Sequence, residues 1–275
     1  QVLLADDFID IARAQALGQR HSGTVGGVGE QRIRHGTWAS QSGAAAGSGL
    51  RTPQCRPSAP PAAARPARYP SVVFLLDTSD SMLNRVQPGA QRTRLDEAKG
   101  ALIQVLQGMA PDTRVQVWTF NTSVQAVRVP GVPAGRFVEI GQGDRRDQLI
   151  ERVREFRTAG GTNLYQAIVK ALGFFADPWD QAAYRSGQRF PVLVILSDGE
   201  DGGKTPESLQ SVQAAKARQP LVTVNAIGFN LTGADGAWFE TLCRIATRPD
   251  GCAKADDERQ LQAILGSFYR FRSGG

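Results

Sequence analysis

The residues with chemistry to offer stand at the ends of two apolar runs and in one glycine-rich loop. Residues 72–76 are five large apolar side chains without alternation, and they lead straight into Asp77, Ser79 and Ser81. One carboxylate and two hydroxyls at alternate positions, on a loop leaving a strand end, can converge on a single point. A second apolar run, residues 192–196, ends in Ser197-Asp198, and between the two lies Gly160-Gly161-Thr162-Asn163 with a further hydroxyl. Oxygen-only donors of this kind suit a hard divalent cation, Mg2+ first, with Mn2+ and Ca2+ as alternatives. Two carboxylates, two or three hydroxyls and waters would complete a six-coordinate site, leaving a position that an acidic group from outside can fill.

Each of these residues has a plainer reading. An acid after a strand commonly closes a turn or caps a helix, and Gly160-Gly161 alone is only a turn. Two such acids with Ser79, Ser81 and Thr162 in register favour the site. Glu200 and Asp201 read as solvated loop acids. Trp118, Phe174 and Phe175 read as core. Trp179 and Tyr184 fit either partner-contact aromatics or packing over the sheet edge, and Thr119 and Asn121 are placed to line a crevice.

The elements that position these loops alternate between strand and helix from residue 71 onward, the pattern of an α/β fold with a parallel sheet. Uninterrupted apolar runs ending in turn residues are how strands buried on both faces read. Strands are expected at 71–77, 113–120, 192–196 and 221–229, with a short one around Cys252, and 124–129 as an antiparallel hairpin partner of 113–120. Helices are expected at 92–109, 144–156, 164–176, 206–218, 236–247 and 256–271, and 177–189 as a polar surface excursion. In an open sheet of this type the loops beyond the carboxyl ends of the strands form the binding crevice, which is where Asp77, Thr162 and Asp198 would meet.

Ahead of this region the pattern fades. Residues 1–20 carry one helical repeat, with Leu4, Phe8, Ile11, Ala12 and Ala16 on one side, and read as the tail of a preceding domain. Residues 21–69 are rich in Gly, Ala, Arg, Ser and Pro and read as a linker. The chain opens on Gln1 rather than Met, so a processed or excerpted fragment is expected, with any leader or membrane anchor lying outside it.

Composition narrows the function classes. Of 32 basic residues 27 are Arg, scattered rather than blocked, and eight of them with four acids fall before residue 71. The net charge of +6 therefore comes with no basic stripe interleaved with aromatics, and nucleic acid is not the expected partner. The three cysteines, Cys55, Cys243 and Cys252, form no zinc pattern. Cys243 and Cys252 suit either a local disulfide or two reduced thiols, and a disulfide would place the protein outside the cytoplasm.

Taken together, Asp77-Thr-Ser79-Asp-Ser81, Gly160-Gly-Thr162-Asn-Leu and Leu196-Ser-Asp198-Gly-Glu resemble the three loops of the von Willebrand factor type A domain, also called the integrin I-domain fold. Val224-Asn-Ala-Ile-Gly-Phe and the closing helix are similar to bacterial members, and the resemblance covers about residues 70–272. It implies a doubly wound, Rossmann-like, mostly parallel sheet with one antiparallel edge strand and helices on both faces. It also implies a metal-ion-dependent adhesion site, in which Asp77, Ser79 and Ser81 are first-loop ligands, Thr162 a ligand in the open state, and Asp198 a direct or water-mediated ligand. The implied partner is a protein that donates a Glu or Asp carboxylate to the metal. One departure is Asp80, where bacterial members usually carry Gly; its side chain either faces solvent or adds negative charge to the site.

The expected function is thus a non-enzymatic, metal-dependent protein-binding and adhesion module, exported to the periplasm, cell surface or medium. Among binding proteins the alternative is a cytoplasmic assembly subunit working with an AAA+ ATPase, as some family members do. An enzyme finds little support. His21 and His35 both fall in the linker-like segment, so the α/β region has no His for a Ser-His-Asp triad. A Mg2+-dependent hydrolase built on an Asp nucleophile needs a second acid two residues on, and position 79 is Ser. No G-x-x-x-x-G-K-[ST] phosphate loop occurs.

Overall fold

In the computed structural model, which describes residues 68–87, 89–199, 201–231 and 236–269, the run into Asp77 is the central strand of the sheet. This strand, β1 (Tyr69–Asp77), is buried from Ser71 onward. It has parallel neighbours on both sides, β2 (Arg114–Phe120) and β5 (Arg189–Ser197). Beyond β5 the sheet continues in parallel with β6 (Thr223–Phe229) and β7 (Cys252–Ala255). The other edge is antiparallel: β3 (Val124–Ala126) and the two-residue β4 (Val138–Glu139) both pair with β2.

Side chains alternate across a strand, so β1 feeds two cores. Val72, Phe74 and Leu76 pack with α1 (Arg94–Gln107), α2 (Arg145–Arg154) and α7 (Glu258–Phe268). Val73 and Leu75 pack with α3 (Leu164–Phe174), α4 (Pro178–Arg185), α5 (Leu209–Arg218) and α6 (Gly236–Ile245). Full burial of each such residue contributes about 1.5–3 kcal/mol, which holds β1 in place from both sides and fixes where Asp77 emerges. The helix after it is begun by a capping box: the Thr93 hydroxyl accepts from the Asp96 N–H at 3.1 Å, and the Asp96 carboxylate accepts from the Thr93 N–H at 3.1 Å. That box sets Arg94 at the first position of α1.

Several local expectations change. The segment 177–189, expected as a polar surface excursion, contains α4, started by Asp177, whose Oδ1 accepts from the Trp179 N–H, with Pro178 at the first position. Its inward face carries no aliphatic stripe. Asp180 and Tyr184 point inward instead, and Asp180 pairs with Arg114 at 2.7 Å, so a hydrophobic pattern could not reveal it. The two aromatics of this segment part company: Tyr184 is buried and Trp179 is 80% exposed. Phe175 is fully buried, while Trp118 and Phe174 are half-buried and meet edge to face at 5.7 Å. The helix expected from residue 206 starts at Leu209, because Ser208 accepts from the Ser211 N–H and caps it.

Cys243 and Cys252 form a disulfide that ties α6 to the first residue of β7, with their Cα atoms 5.2 Å apart. Among the described residues no helix is long and apolar enough to cross a membrane. The chain divides into two units, 1–59 and 60–275, and every described residue belongs to the second. The helix expected at 1–20, the linker up to residue 67, His21, His35, Cys55 and Glu200 lie outside the described residues. The linker's expected last residue, Tyr69, is already in β1.

Candidate metal centre

The chain leaves β1 toward β2 on one side and places β5 on the other. That reversal opens a crevice beyond the carboxyl ends of β1 and β5, and Asp77 and Asp198 stand at those two ends. Asp77 is fully buried. Its Oδ1 accepts from the Ser79 N–H at 2.8 Å, the local turn that an Asp after a strand makes, and its Oδ2 accepts from the Ser197 hydroxyl at 2.8 Å. Ser79 Oγ and Ser81 Oγ lie 3.0 Å apart, and the Ser81 hydroxyl donates to Asp198 Oδ1 at 2.7 Å. Ser79, Ser81 and Asp198 therefore form one hydrogen-bonded chain of oxygens, and Asp77, the fourth of the five sequence-predicted residues, joins it through the Ser79 N–H.

The fifth, Thr162, arrives by its backbone. The second loop is stitched to the first: the Asp80 N–H donates to the Gly160 carbonyl at 2.9 Å, and the Ala159 N–H to the Thr78 carbonyl at 2.9 Å. It is stitched to the third where the Gly202 N–H donates to the Thr162 carbonyl at 2.6 Å. Two glycines permit this packing. Gly160 has φ +64°, and a Cβ at Gly202 would lie 2.9 Å from the Thr162 carbonyl oxygen. The Thr162 side chain stands outside the hydrogen-bonded chain of Ser79, Ser81 and Asp198.

Burial, and next the negative charge of Asp198, push the Asp77 carboxyl up to about 7, against the opposing hydrogen bonds from Ser79 and Ser197. Asp198 has its own counter-charge. Arg94 Nη1 pairs with Asp198 Oδ2 at 2.8 Å, with the Asp198 side chain fully buried. The same guanidinium donates from Nε to Asn230 Oδ1 at 3.1 Å. Asn230, at φ 50°, donates from Nδ2 to the carbonyls of Val86 and Asp256.

Three participants were not legible in the sequence as site residues: Ser197, Arg94 and Asn230. Ser197 stands next to Asp198, where its hydroxyl reads as a strand end. Arg94 meets Asp198 across 104 positions, a pairing that no local pattern encodes. Other expectations sort themselves out. Asp80 is exposed, so its carboxylate is in water rather than in the oxygen cluster. Asp201, expected as a solvated acid, is half-buried and accepts from the N–H groups of Tyr165 and Gly203, where it begins α3. Thr119 and Asn121, expected in the crevice itself, line a separate groove on the β2 and β3 side, whose wall includes Thr78.

The donor chemistry fits a hard divalent cation. The set is two carboxylates and two hydroxyls with no nitrogen or sulfur, and the buried Asp77 carboxyl faces a like charge that a cation between them would relieve. Among the described residues no group of three or more His, Cys, Asp and Glu side chains could hold a metal, so hydroxyls have to supply the remainder.

With fold and site in hand, the chain belongs to the von Willebrand factor type A domain family, whose family model matches residues 71–267. Solved structures of the same fold include a von Willebrand factor type A protein from Catenulispora acidiphila (18% identity, TM-score 0.55, covering 73% of this chain and 42% of that one). Another is the pilus adhesin SpaC of Lactobacillus rhamnosus GG in an open conformation (15%, TM-score 0.56, 74% and 30%). A third is the proximal thread matrix protein of the mussel byssus with a zinc-occupied metal-ion-dependent adhesion site (13%, TM-score 0.52, 74% and 48%). The chain spans less than half the length of each of these structures, and at such identities the likeness is one of fold. No curated protein matches the chain by sequence.

Proposed function

We propose that this chain is a divalent-metal-dependent protein-binding module, in which Asp77, Ser79, Ser81, Thr162 and Asp198 hold a Mg2+ ion that takes a carboxylate from a partner protein. The observation that carries the reading is that the buried Asp77 and Asp198 carboxylates stand together with the Ser79 and Ser81 hydroxyls at the strand-end crevice. Bound there, the ion supplies a Lewis-acidic position for one further oxygen ligand.

The residues around it set the charge. Asp77 and Asp198 bring two negative charges and Arg94, at 2.8 Å from Asp198, returns one positive charge. A divalent ion then leaves the centre at +1, which one partner carboxylate neutralises. Buried charges are tolerated where they are paired, so this balance favours an acidic side chain over a neutral one. Ser197 and the Ser79 N–H hold Asp77 in one orientation, and Arg94 does the same for Asp198.

The module is read as non-catalytic, since Ser79 stands where an Asp-nucleophile phosphatase carries its second acid. It is read as exported, supported by the Cys243–Cys252 disulfide, because such bonds persist in oxidising compartments. The pilus adhesin and the byssal matrix protein that share the fold agree with an adhesive role. The test is surface plasmon resonance on an immobilised Asp-containing peptide and its Asn counterpart, in millimolar Mg2+ and in EDTA. Binding confined to the Asp peptide in Mg2+, and lost in Asp77→Ala, supports the reading; equal binding in EDTA refutes it.

A further inference from the structure

A groove of about 420 Å³ adjoins the metal centre, and Thr78, between Asp77 and Ser79, forms part of its wall. Asn121 links the two, donating from Nδ2 to Thr78 Oγ1 at 3.3 Å. The lining of the groove is basic, with Arg128, Arg152 and Arg157 against a single acid, Glu155. Arg152 occupies that acid at 2.9 Å. Among the described residues Arg157 donates to the carbonyls of Arg154 and Phe156. Among the described residues neither Arg128 nor Arg157 has a carboxylate partner, and both are exposed.

Arg157 is also tied to the site through the chain. Two residues on, the Ala159 N–H donates to the Thr78 carbonyl at 2.9 Å, so the basic side and the metal loop are braced together. The polar floor of Thr119, Asn121 and Gln125 offers hydrogen bonds but no charge that would compete for the guanidiniums.

We propose that this groove is a second contact for the same partner, one that selects an acidic segment: one carboxylate reaches the metal centre while another lies against Arg128 and Arg157. This rests on the carboxylate-capture reading above and adds the class of partner to it, a protein segment with several acids rather than a lone Asp or Glu. Planar guanidiniums suit carboxylates because they donate in a fork. Both arginines are exposed, so the contribution is salt-dependent and of surface-pair size.

The experiment uses the 275-residue chain and three fluorescein-labelled probes of equal length, read by anisotropy. They are a peptide of alternating Asp, Glu and Gly, the same peptide with all acids but one amidated, and a thymidine oligonucleotide. Each is titrated in Mg2+ and in EDTA against the parent, Arg128→Gln/Arg157→Gln, the corresponding Lys pair, and Asp77→Asn. The expected result in Mg2+ is a preference of about fivefold for the multi-acid peptide. It falls to near unity in the Gln pair, is retained in part by the Lys pair, and shrinks in high salt. The Mg2+-induced rise in melting midpoint should be the same in the Gln pair as in the parent, which separates loss of the groove from loss of the metal centre.

Equal affinity of the parent for the two peptides overturns the proposal, as does a preference that survives in the Gln pair. Oligonucleotide binding stronger than either peptide and lost in the Gln pair overturns it in favour of a nucleic-acid groove. Arginine-dependent preference that is identical in EDTA and in Asp77→Asn upholds the acidic groove and refutes carboxylate capture by the metal.

Discussion

Replacing Asp77 by Asn should make the metal-free protein more stable while abolishing its response to metal. The Asp77 carboxyl is fully buried, and its ionisation is displaced from 3.8 to about 7 by burial and the Asp198 charge. That displacement corresponds to a ceiling of about 4 kcal/mol of destabilisation once the folded carboxyl is ionised. The isosteric amide keeps the hydrogen bonds. Asn Oδ1 can still accept from the Ser79 N–H, and the Ser197 hydroxyl, which also reaches the Gly199 carbonyl at 2.9 Å, can turn its proton there and accept from the new NH2. Allowing for relaxation of the buried pair, the gain in EDTA at pH 8 should be about 1–3 kcal/mol, or about 3–10 °C for a domain of this size.

The sign with pH is fixed. Between about pH 4 and pH 7 the folded parent holds a proton on Asp77 that the unfolded chain has released. The raised value therefore contributes stability that is fully present below 3.8 and is lost as pH rises toward 7. The advantage of Asp77→Asn should accordingly be largest at pH 8, decline through pH 6, and vanish near pH 4. Differential scanning calorimetry in EDTA across this range measures it. A variant less stable than the parent at pH 8, or an advantage independent of pH, would refute the argument that Asp77 is a strained, metal-awaiting acid.

Arg94→Met leaves the buried Asp198 without its counter-charge, and should cost about 3–5 kcal/mol in EDTA by thermal or urea melts. The same variant should show a larger Mg2+-induced rise in midpoint than the parent, since one positive charge has left the centre, together with weaker capture of an acidic peptide. Gly202→Ala puts a Cβ 2.9 Å from the Thr162 carbonyl oxygen. It should therefore cost about 1–3 kcal/mol and blunt the Mg2+-induced rise, with an unchanged circular dichroism spectrum as the check on folding. Cys243→Ser opens a disulfide between cysteines nine residues apart and should lower stability by about 2–3 kcal/mol. Reductant should bring the parent down to the level of this variant and leave the variant where it is.

The parts of the site that were legible are those written locally. The run 72–76 into Asp77, and the run 192–196 into Ser197-Asp198, announce buried parallel strands and polar ends at once, because a strand covered on both faces admits no alternation. The glycine loop was legible only as a companion to these. What escaped was encoded across distance or in polar packing. Arg94 reads as an exposed first-turn residue until α1 is laid against β5. The helix α4 hides because its inward contact is the Arg114–Asp180 ion pair rather than an apolar stripe. The two-residue β4 is too short for any periodicity. The disulfide stayed open in the sequence because the expected turn from helix to strand brings Cys243 and Cys252 near each other without setting whether their side chains meet; in the fold their Cα atoms stand 5.2 Å apart.

The most direct measurement is an anomalous difference map from a crystal grown with Mn2+. A peak is expected in the crevice beyond β1 and β5, within about 2.0–2.4 Å of an oxygen of Asp77 and of the Ser79 and Ser81 hydroxyls. A map with no peak in that crevice, or with Mn2+ bound elsewhere while Asp77, Ser79 and Ser81 keep only their present hydrogen bonds, would contradict it.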